Sequence, residues 1–365
     1  MKRLLALIGA LAMVAAAVLV RGILDNADDP SGGGDSPGPG EQTLNLTCGP
    51  ALLTVCNALA EANERLAVTE EPEALTTQKL AAGEIDLAGN WAWLAAGDWP
   101  AYGQATGETV PELTASSVLA RSPAVIVARS DRLAVLEGSC DSVDWACIGD
   151  SAGEPWSSIG GEPGWGRIEV GLPIPDDGEG MASVNQAVVS RMGHATFATN
   201  DLDDPSTAAW FDRIASESNA NAGSTTPLVE FIRRPGSLSV VGAIESEAIR
   251  ELSGYAGAES LTVIAPEPAA TADVRLWTGD TEQMADTLAL LEGAGIIDAL
   301  GAAGWRTPAG STSNDQDSGA VFVLSTGSAS IDTDMRSTEV ELPESSGLPT
   351  PGVVAAVNAE WESTG

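Results

Sequence analysis

Short apolar segments alternate with helical patterns along most of this chain, and this alternation limits the folds open to it. The residues "TLNLT" (43–47) form a strand pattern, and apolar residues then recur every three or four positions from Ala51 to Ala67, which is typical of a helix. Repeated strand–helix pairs bury their apolar faces best when helices are layered on a largely parallel sheet. The sequence therefore predicts an α/β fold.

The alternation continues to Arg306. Strands are predicted in "EIDLA" (84–88), "SSVLARSPAVIVARSD" (116–131), "GWGRIEVGLPIP" (164–175), "SLSVVGAIES" (237–246) and "LTVIAPEP" (261–268). Helices are predicted over Gly180–Arg191, Glu245–Ser253, two segments of 281–306, and Pro351–Glu362. Pro123 predicts a bend in its strand, because proline cannot donate to a central sheet ladder.

The charge of the chain argues against a nucleic-acid partner. Its 365 residues include 52 Asp and Glu against 17 Lys and Arg, a formal net charge of −35. Binding phosphates needs a basic face, and the sequence shows none. The acidity instead favours solubility in a salty medium, with a dedicated cation-binding surface as the alternative.

The first residues predict export. Lys2 and Arg3 precede an apolar run, Leu4–Val20. Residues 1–24 are therefore either a signal peptide or a membrane anchor, and we favour the uncleaved anchor. Residues 25–42, rich in Gly, Pro and Asp, are predicted to be a disordered linker. The folded part is expected outside the cytoplasm, anchored to the cell membrane, or secreted if the segment is cleaved.

Four cysteines form two local pairs, Cys48 with Cys56 and Cys140 with Cys147. An even number in an exported chain predicts disulfides, with free buried thiols as the alternative. Cys48 and Cys56 can meet only if Cys48 lies before the helix, since a continuous helix would hold the sulfurs too far apart. Neither spacing is that of a zinc site, and no metal site is predicted.

Six short motifs in order carry a family resemblance. They are "LTCGPALLTVCNALAEAN" (46–63), "LAAGEIDLAGNWAWLA" (80–95), "SSVLARSPAVIVARSD" (116–131), "GWGRIEVGLPIPDDGEGMASVNQAVV" (164–189), "GSLSVVGAIES" (236–246) and "LALLEGAGIIDALGAAGWR" (288–306). The chain resembles bacterial extracellular solute-binding proteins of the type 2 periplasmic-binding fold. Within them it is similar to the branch that often precedes a von Willebrand factor A domain.

The resemblance implies two α/β lobes joined by two crossing strands, Ser117–Ala128 and one near Val241–Pro266, with a small-molecule ligand in the cleft between them. The implied lobes are 43–120 with 245–306, and 121–244, followed by a C-terminal extension, 307–365. "LPTPGVVAAVNAEWE" (348–362) resembles the connector to the von Willebrand domain, and no D-x-S-x-S metal motif follows it. The expected partner is therefore a transporter or a separate von Willebrand A-type protein.

Candidate ligand-binding residues lie where strands run into helices, since clefts form at the carboxyl ends of parallel strands. They are Cys48, Gly49, Asn90, Trp91, Ser122, Asp177, Gly178, Glu179 and Glu245. Trp91, with Trp93 and Trp99, could line a sugar or amine site or belong to the core. Glu245 could instead cap a helix.

The turn "PDDGEG" (175–180) is unsuited to an anion. In oxyanion-binding relatives the matching turn carries Ser or Thr beside glycine, whereas Asp177 and Glu179 would repel an incoming oxyanion. They would suit an amine or a metal ion better. The alternative is that they only cap the following helix.

The sequence offers little for catalysis. His194 is the only histidine and has no evident partner, and G-x-S-x-G, H-E-x-x-H and P-loop motifs are lacking. We therefore expect no enzyme, no catalytic residue and no cofactor. The expected function is capture of a small ligand other than an oxyanion. The alternative is a cell-envelope interaction module that kept the fold and lost ligand binding.

Overall fold

A mixed sheet with helices on its faces forms the framework of the protein, which confirms the predicted α/β class. The computed structural model describes residues 43–193, 198–220, 226–308, 322–323 and 350–364. The strands are β1 Leu44–Cys48, β2 Leu66–Glu70, β3 Trp91–Ala96, β4 Thr114–Ala115, β5 Ala120–Arg129, β6 Val170–Gly171, β7 Val240–Ile244, β8 Leu261–Ile264, β9 Thr271–Thr278, β10 Thr307–Pro308 and β11 Phe322–Val323.

Helices cover both faces of this sheet. They are α1 Leu53–Ala62, α2 Glu73–Ala81, α3 Trp99–Ala105, α4 Ser130–Ser139, α5 Trp145–Ser151, α6 Gly178–Met192, α7 Pro205–Ala220, α8 Pro227–Arg233, α9 Glu245–Leu252, α10 Thr281–Gly293, α11 Ile296–Ala302 and α12 Pro351–Ser363. Within the described ranges, no helix is both long enough and apolar enough to cross a bilayer. The predicted anchor (1–24) and linker (25–42) lie outside the described residues.

The sheet has the order β2-β1-β3-β9-β5-β7-β6, with β4 on β9 and β8 on β5. Strands β1, β2 and β3 are mutually parallel, whereas β9 is antiparallel to both β3 and β5. On the far side, β7 and β8 are antiparallel to β5, and β6 is parallel to β7. The largely parallel pairing predicted from the sequence therefore holds around β1 and gives way to antiparallel pairing around β5.

Strand β5 belongs to two parts of the sheet. Its first residues, Ala120–Pro123, pair with β9, and the following residues, Ala124–Ala128, pair with β7. The change of partner falls at Pro123, where the bend was expected. We call β1–β4, β9 and the start of β5 the first part, and the rest of β5 with β6–β8 the second part. The chain returns to the first part between Ile264 and Thr271.

Each part has its own apolar packing. In the first part, β1, β3 and β9 pack against α1, α10 and α11 around Leu46, Leu94 and Leu276. In the second part, one face of the strands packs on α5, α6 and α7, and the other on α8 and α9. Helix α9 and strand β8 pack on the second part, although the predicted lobe boundary lies at residue 245. The lobe boundaries stay a prediction.

Both cysteine pairs are disulfide-bonded, as predicted. Cys48 ends β1 and reaches Cys56 in α1 with 6.6 Å between their Cα atoms. Cys140 follows α4 and reaches Cys147 in α5 with 6.0 Å between Cα atoms. The first bond forms because Cys48 lies in the strand rather than in the helix, as the geometry of the pair required.

Three local predictions were wrong. Residues 84–88 form a turn, and the strand is the next apolar run, Trp91–Ala96. The helix expected to Ala67 ends at Ala62, because Leu66–Glu70 pairs with β1 as an additional strand. Strand β9 was missed. A run buried on both faces shows no alternation, so period-two patterns favoured "EIDLA" over "WAWLAA".

Helix α12 packs on both parts of the protein. Val353, Val357 and Trp361 join the core of α7, where the Trp361 and Phe211 rings lie 5.9 Å apart. One residue along, Val354 is buried with Trp93 and other side chains of the first part. The helix predicted over Pro351–Glu362 is confirmed, and it braces the two parts.

A buried ion pair between Glu245 and Arg306 lies beside the point where β5 passes from the first part to the second. Glu245, the first residue of α9, is fully buried, and its Oε2 and Oε1 accept from Nε and Nη2 of Arg306 at 2.6 and 2.7 Å. The backbone of Arg306 in turn exchanges hydrogen bonds of 2.8 and 2.9 Å with Arg121 in β5. Ser122 Oγ accepts from Ser246 N at 2.9 Å in the same place.

Arg306→Met should destabilise the protein by about 3–5 kcal/mol, because it leaves the buried Glu245 carboxylate without its partner. Glu245→Met combined with Arg306→Met should recover most of that loss, since two apolar side chains can fill the space of a buried pair. Urea unfolding followed by circular dichroism measures both.

The matched control is Arg234→Met. Arg234 Nη1 lies 3.1 Å from Glu230 Oε1, but its side chain is 76% exposed, so its loss should cost less than about 1 kcal/mol. Equal effects of the Arg306 and Arg234 substitutions would contradict the structural role given to the Glu245–Arg306 pair.

Candidate functional site

Four carboxyl groups meet where the two parts of the sheet face each other. They belong to Glu73, Asp177, Glu179 and Glu247, which we call the acid cluster. They lie at the amino ends of three helices, α2, α6 and α9. These helices follow strands or loops that end at the same edge, so the fold itself collects the four side chains.

Glu73 is the member supplied by the first part. It is the first residue of α2 and is fully buried. Its Oε1 accepts from Ala96 N, at the carboxyl end of β3, at 3.3 Å. Gly49, just after β1, leaves room for this carboxyl, since a Cβ there would lie 2.0 Å from Oε1. The glycine is thus required by the close approach of Glu73.

Asp177 and Glu179 come from the loop and first turn of α6. Asp177 Oδ1 accepts from Gly180 N at 2.8 Å and so caps the helix. Between them, Gly178 lies so close to β3 that a Cβ would be 2.4 Å from Ala96 O. Ala74 N also donates to Asp176 O at 3.0 Å. The second part therefore touches the first part directly beside the cluster.

Glu247 completes the cluster from α9. It is fully buried, and its Oε1 accepts a short hydrogen bond from Thr226 Oγ1. Its carboxyl also lies close enough to that of Glu179 for its charge to raise the pKa of Glu179. The charge of Glu247 therefore favours the protonated form of Glu179.

The surroundings raise the pKa values of the cluster. Loss of solvation raises the pKa of Glu73 well above its usual value, and the charge of Asp177 adds to this. Loss of solvation also raises the pKa of Glu179, helped by the charge of Glu247. For Asp177 the same cause raises the pKa to about 7, although Gly180 N opposes the shift. Loss of solvation and like charges together favour the protonated forms.

The cluster differs from neighbouring buried acids in its lack of cationic partners. Glu245 pairs with Arg306, and Asp273 lies 3.3 Å from Arg121 Nε. No ion pair of the described residues involves a cluster member. Moreover, Glu73 Oε2, Glu179 Oε1 and Glu247 Oε2 are buried without a hydrogen-bond partner among the described residues.

The structure brings together some of the predicted residues. Gly49, Asp177, Gly178 and Glu179 all lie at the cluster. Cys48 adjoins it, with its sulfur in a disulfide.

Other predicted residues serve the framework or lie elsewhere. Ser122 and Glu245 belong to the framework beside the acid cluster. Ser122 Oγ accepts a hydrogen bond from Ser246 N, and Glu245 pairs with Arg306. Asn90 and Trp91 lie at the start of β3, opposite Asn45, and so at the other end of the strand from Gly49. Trp91 Nε1 donates to Thr47 Oγ1 at 3.0 Å.

Sequence reasoning missed Glu73 and Glu247. Glu73 follows Pro72 at the start of a helix, a signal that was lost when the preceding strand β2 was read as helix. Glu247 stands two residues after Glu245 in "AIESEAIR", and on a helix these side chains point in different directions. Both side chains are fully buried, and the ion pair of Glu245 with Arg306 is what distinguishes them.

This arrangement can hold positive charge and repels negative charge. Ionised carboxyls of the cluster would repel an oxyanion, and the exclusion of an oxyanion ligand stays a prediction. Among the described residues, no group of three or more His, Cys, Asp or Glu side chains is placed to hold a metal ion.

Comparisons with known proteins place the fold only. No family model matches the chain, and no curated protein matches it. Among solved structures, the periplasmic binding protein AfuA from Actinobacillus pleuropneumoniae is 11% identical, with a TM-score of 0.49, over 87% of this chain and 97% of that one.

Two further structures give a similar result. FutA2 from Synechocystis PCC6803, in its apo form, is 11% identical, with a TM-score of 0.47, over 88% of this chain and 96% of that one. The OxyR2 regulatory domain from Vibrio vulnificus is 16% identical, with a TM-score of 0.40, over 71% and 97%. At these values the likeness carries no information on ligand or activity.

Folding stability should fall as the pH rises from about 4 to about 8, because the raised pKa values make the folded protein bind more protons than the unfolded chain, whose carboxyls titrate near pH 4. The stabilisation is complete below that range and is lost through the pKa of Asp177, about 7. Glu73→Gln should flatten this decline. Thermal unfolding of the unmodified protein and of the Glu73→Gln variant at several pH values measures this decline in stability.

Glu64→Gln is the matched control, since it removes the same charge from an exposed turn. If Glu73→Gln and Glu64→Gln gave the same pH profile as the unmodified protein, the titration of buried Glu73 would not contribute to stability.

Proposed function

We propose that this protein is an extracytoplasmic solute-binding protein that holds a small ligand, other than an oxyanion, between the two parts of its sheet. The observation that supports this most is the acid cluster, which stands where strand ends and helix amino termini of both parts meet. If the two parts separate, residues from both of them would line the opening at this edge.

Binding would require the two parts to separate and close again. Among the described residues up to Pro308, the chain passes between them twice, through β5 and between Ile264 and Thr271. Two short connections allow a hinge movement about that line. The contact of Gly178 with Ala96 then marks the closed position, since no side chain could fit between them.

Export and tethering follow from the N-terminal segment. Residues 1–24 would anchor the chain and 25–42 would hold the folded part away from the membrane surface. We further propose the branch of solute-binding proteins associated with von Willebrand A domains, with a transporter or a separate von Willebrand A-type protein as the partner. In this role the protein needs no catalytic residue, and His194 lies outside the described residues.

A non-binding interaction module is the second candidate. Helix α12 favours it, because Val354 packs in the core of the first part and Trp361 in that of the second. Such a brace restrains the two parts relative to each other, which would oppose ligand entry. In this case the fold would present a fixed surface to an envelope partner.

Thermal unfolding of the full chain in mild detergent, with a panel of ligands, distinguishes these functions. The panel contains amines, neutral sugars, short peptides, divalent cations, sulfate and molybdate. A binding protein should be stabilised by about 2.7 kcal/mol at a ligand concentration 100 times Kd, which raises Tm by several degrees. Sulfate and molybdate should have no effect. No shift with any compound would favour the interaction module.

Gly178→Ala provides the internal test of the proposed closure. Its methyl group would meet Ala96 O and keep the two parts from closing, so the ligand-induced rise in Tm should be lost. Gly138→Ala is the control, because an added Cβ there has no heavy atom within 4 Å. Ligand stabilisation that survives Gly178→Ala would contradict closure at this contact.

A further inference from the structure

We infer that the acid cluster binds the primary ammonium group of an organic amine. This rests on the proposed function and narrows its ligand to a chemical class. Four features carry it: the absence of an ion pair at the cluster among the described residues, the oxygens without hydrogen-bond partners, the lack of a metal-binding arrangement there, and the position between the two parts of the sheet.

The absence of arginine partners at the acid cluster indicates a positively charged ligand. Arginines pair with the buried acids beside the cluster, Glu245 and Asp273, whereas no ion pair among the described residues includes a cluster member. Leaving buried carboxylates unpaired is costly, so they must hold protons or meet a cation. The facing charges are those of Asp176, on the same loop, and Arg250, on α9. Arg250 Nε donates to its neighbour Glu251 at 3.0 Å instead.

The carboxyl oxygens without hydrogen-bond partners indicate a ligand that donates hydrogen bonds. Three buried acceptor atoms have no hydrogen-bond partner among the described residues: Glu73 Oε2, Glu179 Oε1 and Glu247 Oε2. Glu73 and Glu247 are fully buried. A primary ammonium has three N–H donors and no acceptor, which matches a set of oxygens that lack donors. Quaternary ammonium groups have no N–H to offer.

The geometry favours an amine over a metal ion. Calcium needs six to eight oxygens at about 2.3–2.6 Å, and magnesium needs a near-octahedral set. No such grouping is present among the described residues. Carboxylates that lie farther apart can still accept from an ammonium, whose hydrogen bonds span about 2.7–2.9 Å.

Binding should exchange protons for the amine. Without ligand, the raised pKa values of Glu73, Asp177 and Glu179 favour their protonated forms. When R–NH3⁺ enters, the carboxyls ionise, the released protons pass to the buffer, and each N–H donates to a carboxylate oxygen. Affinity must then increase with pH, because the ligand and protons compete for the same oxygens.

Isothermal titration of the full chain with diaminobutane tests this inference, with butanediol as the neutral compound of the same shape. Diaminobutane should bind and butanediol should not. The affinity of the protein for diaminobutane should rise by at least about tenfold from about pH 5.5 to about pH 8. The binding enthalpy should differ between phosphate and HEPES buffers, because released protons are taken up by buffers of different ionisation enthalpy.

Variants locate the site. Glu73→Gln and Glu247→Gln should each weaken diaminobutane binding by about tenfold or more, whereas the exposed Glu64→Gln should leave it unchanged. Circular dichroism shows whether each variant folds. If a variant does not fold, the proton release and pH dependence of the unmodified protein decide the inference.

The outcomes separate the two proposals. If sugars or peptides raise Tm and diaminobutane does not bind, the ammonium site is wrong and the solute-binding function stands. If diaminobutane binds without proton release, or equally well to both glutamine variants, the cluster is not its site. If no compound binds in either experiment, both proposals fail.

Discussion

The continuous strand β5 is the constraint on which the rest of the structure depends. Its first residues pair with β9 and its later residues with β7 and β8, so one strand joins two separately packed cores. The buried Glu245–Arg306 pair and the hydrogen bond from Ser246 to Ser122 secure this junction. Because the junction is fixed, the strand ends and helix termini of both parts are brought to one edge.

In the described part of the chain, the buried carboxyls at that edge lack the arginine partners that stabilise other buried carboxyls of the protein. Buried acids at the junction have arginine partners, whereas the acid cluster has like charges, lost solvation and unpartnered oxygens. Such a cluster weakens the fold at neutral pH, since like charges and lost solvation both oppose ionisation. We attribute this cost to function: a cation that enters between the parts would satisfy groups that the chain itself leaves unsatisfied.

The sequence predicted the layers of the fold better than the site. Strands β1, β5, β7 and β8 and helices α6, α9 and α12 were predicted because their patterns are strong and their ends are marked by Gly, Pro or Asp. β3 was misplaced because its buried run lacks alternation, the start of β2 was taken as the end of a helix, and β9 was missed. This error moved the site to Asn90 and Trp91 and hid Glu73. Pairing of Glu245 with Arg306 joins residues 61 positions apart, which no local pattern reveals.

The most direct test of this account measures the protons of the cluster themselves. Carboxyl carbon NMR of the ligand-free protein, assigned with Glu73→Gln and Glu179→Gln, reports each titration separately. We expect Glu73 and Glu179 to titrate well above the ordinary glutamate value of about 4.3, with Asp177 titrating at about 7. Ordinary values for all three would mean that the carboxyls are solvated and uncoupled, and would contradict the buried acid cluster as the basis of ligand binding.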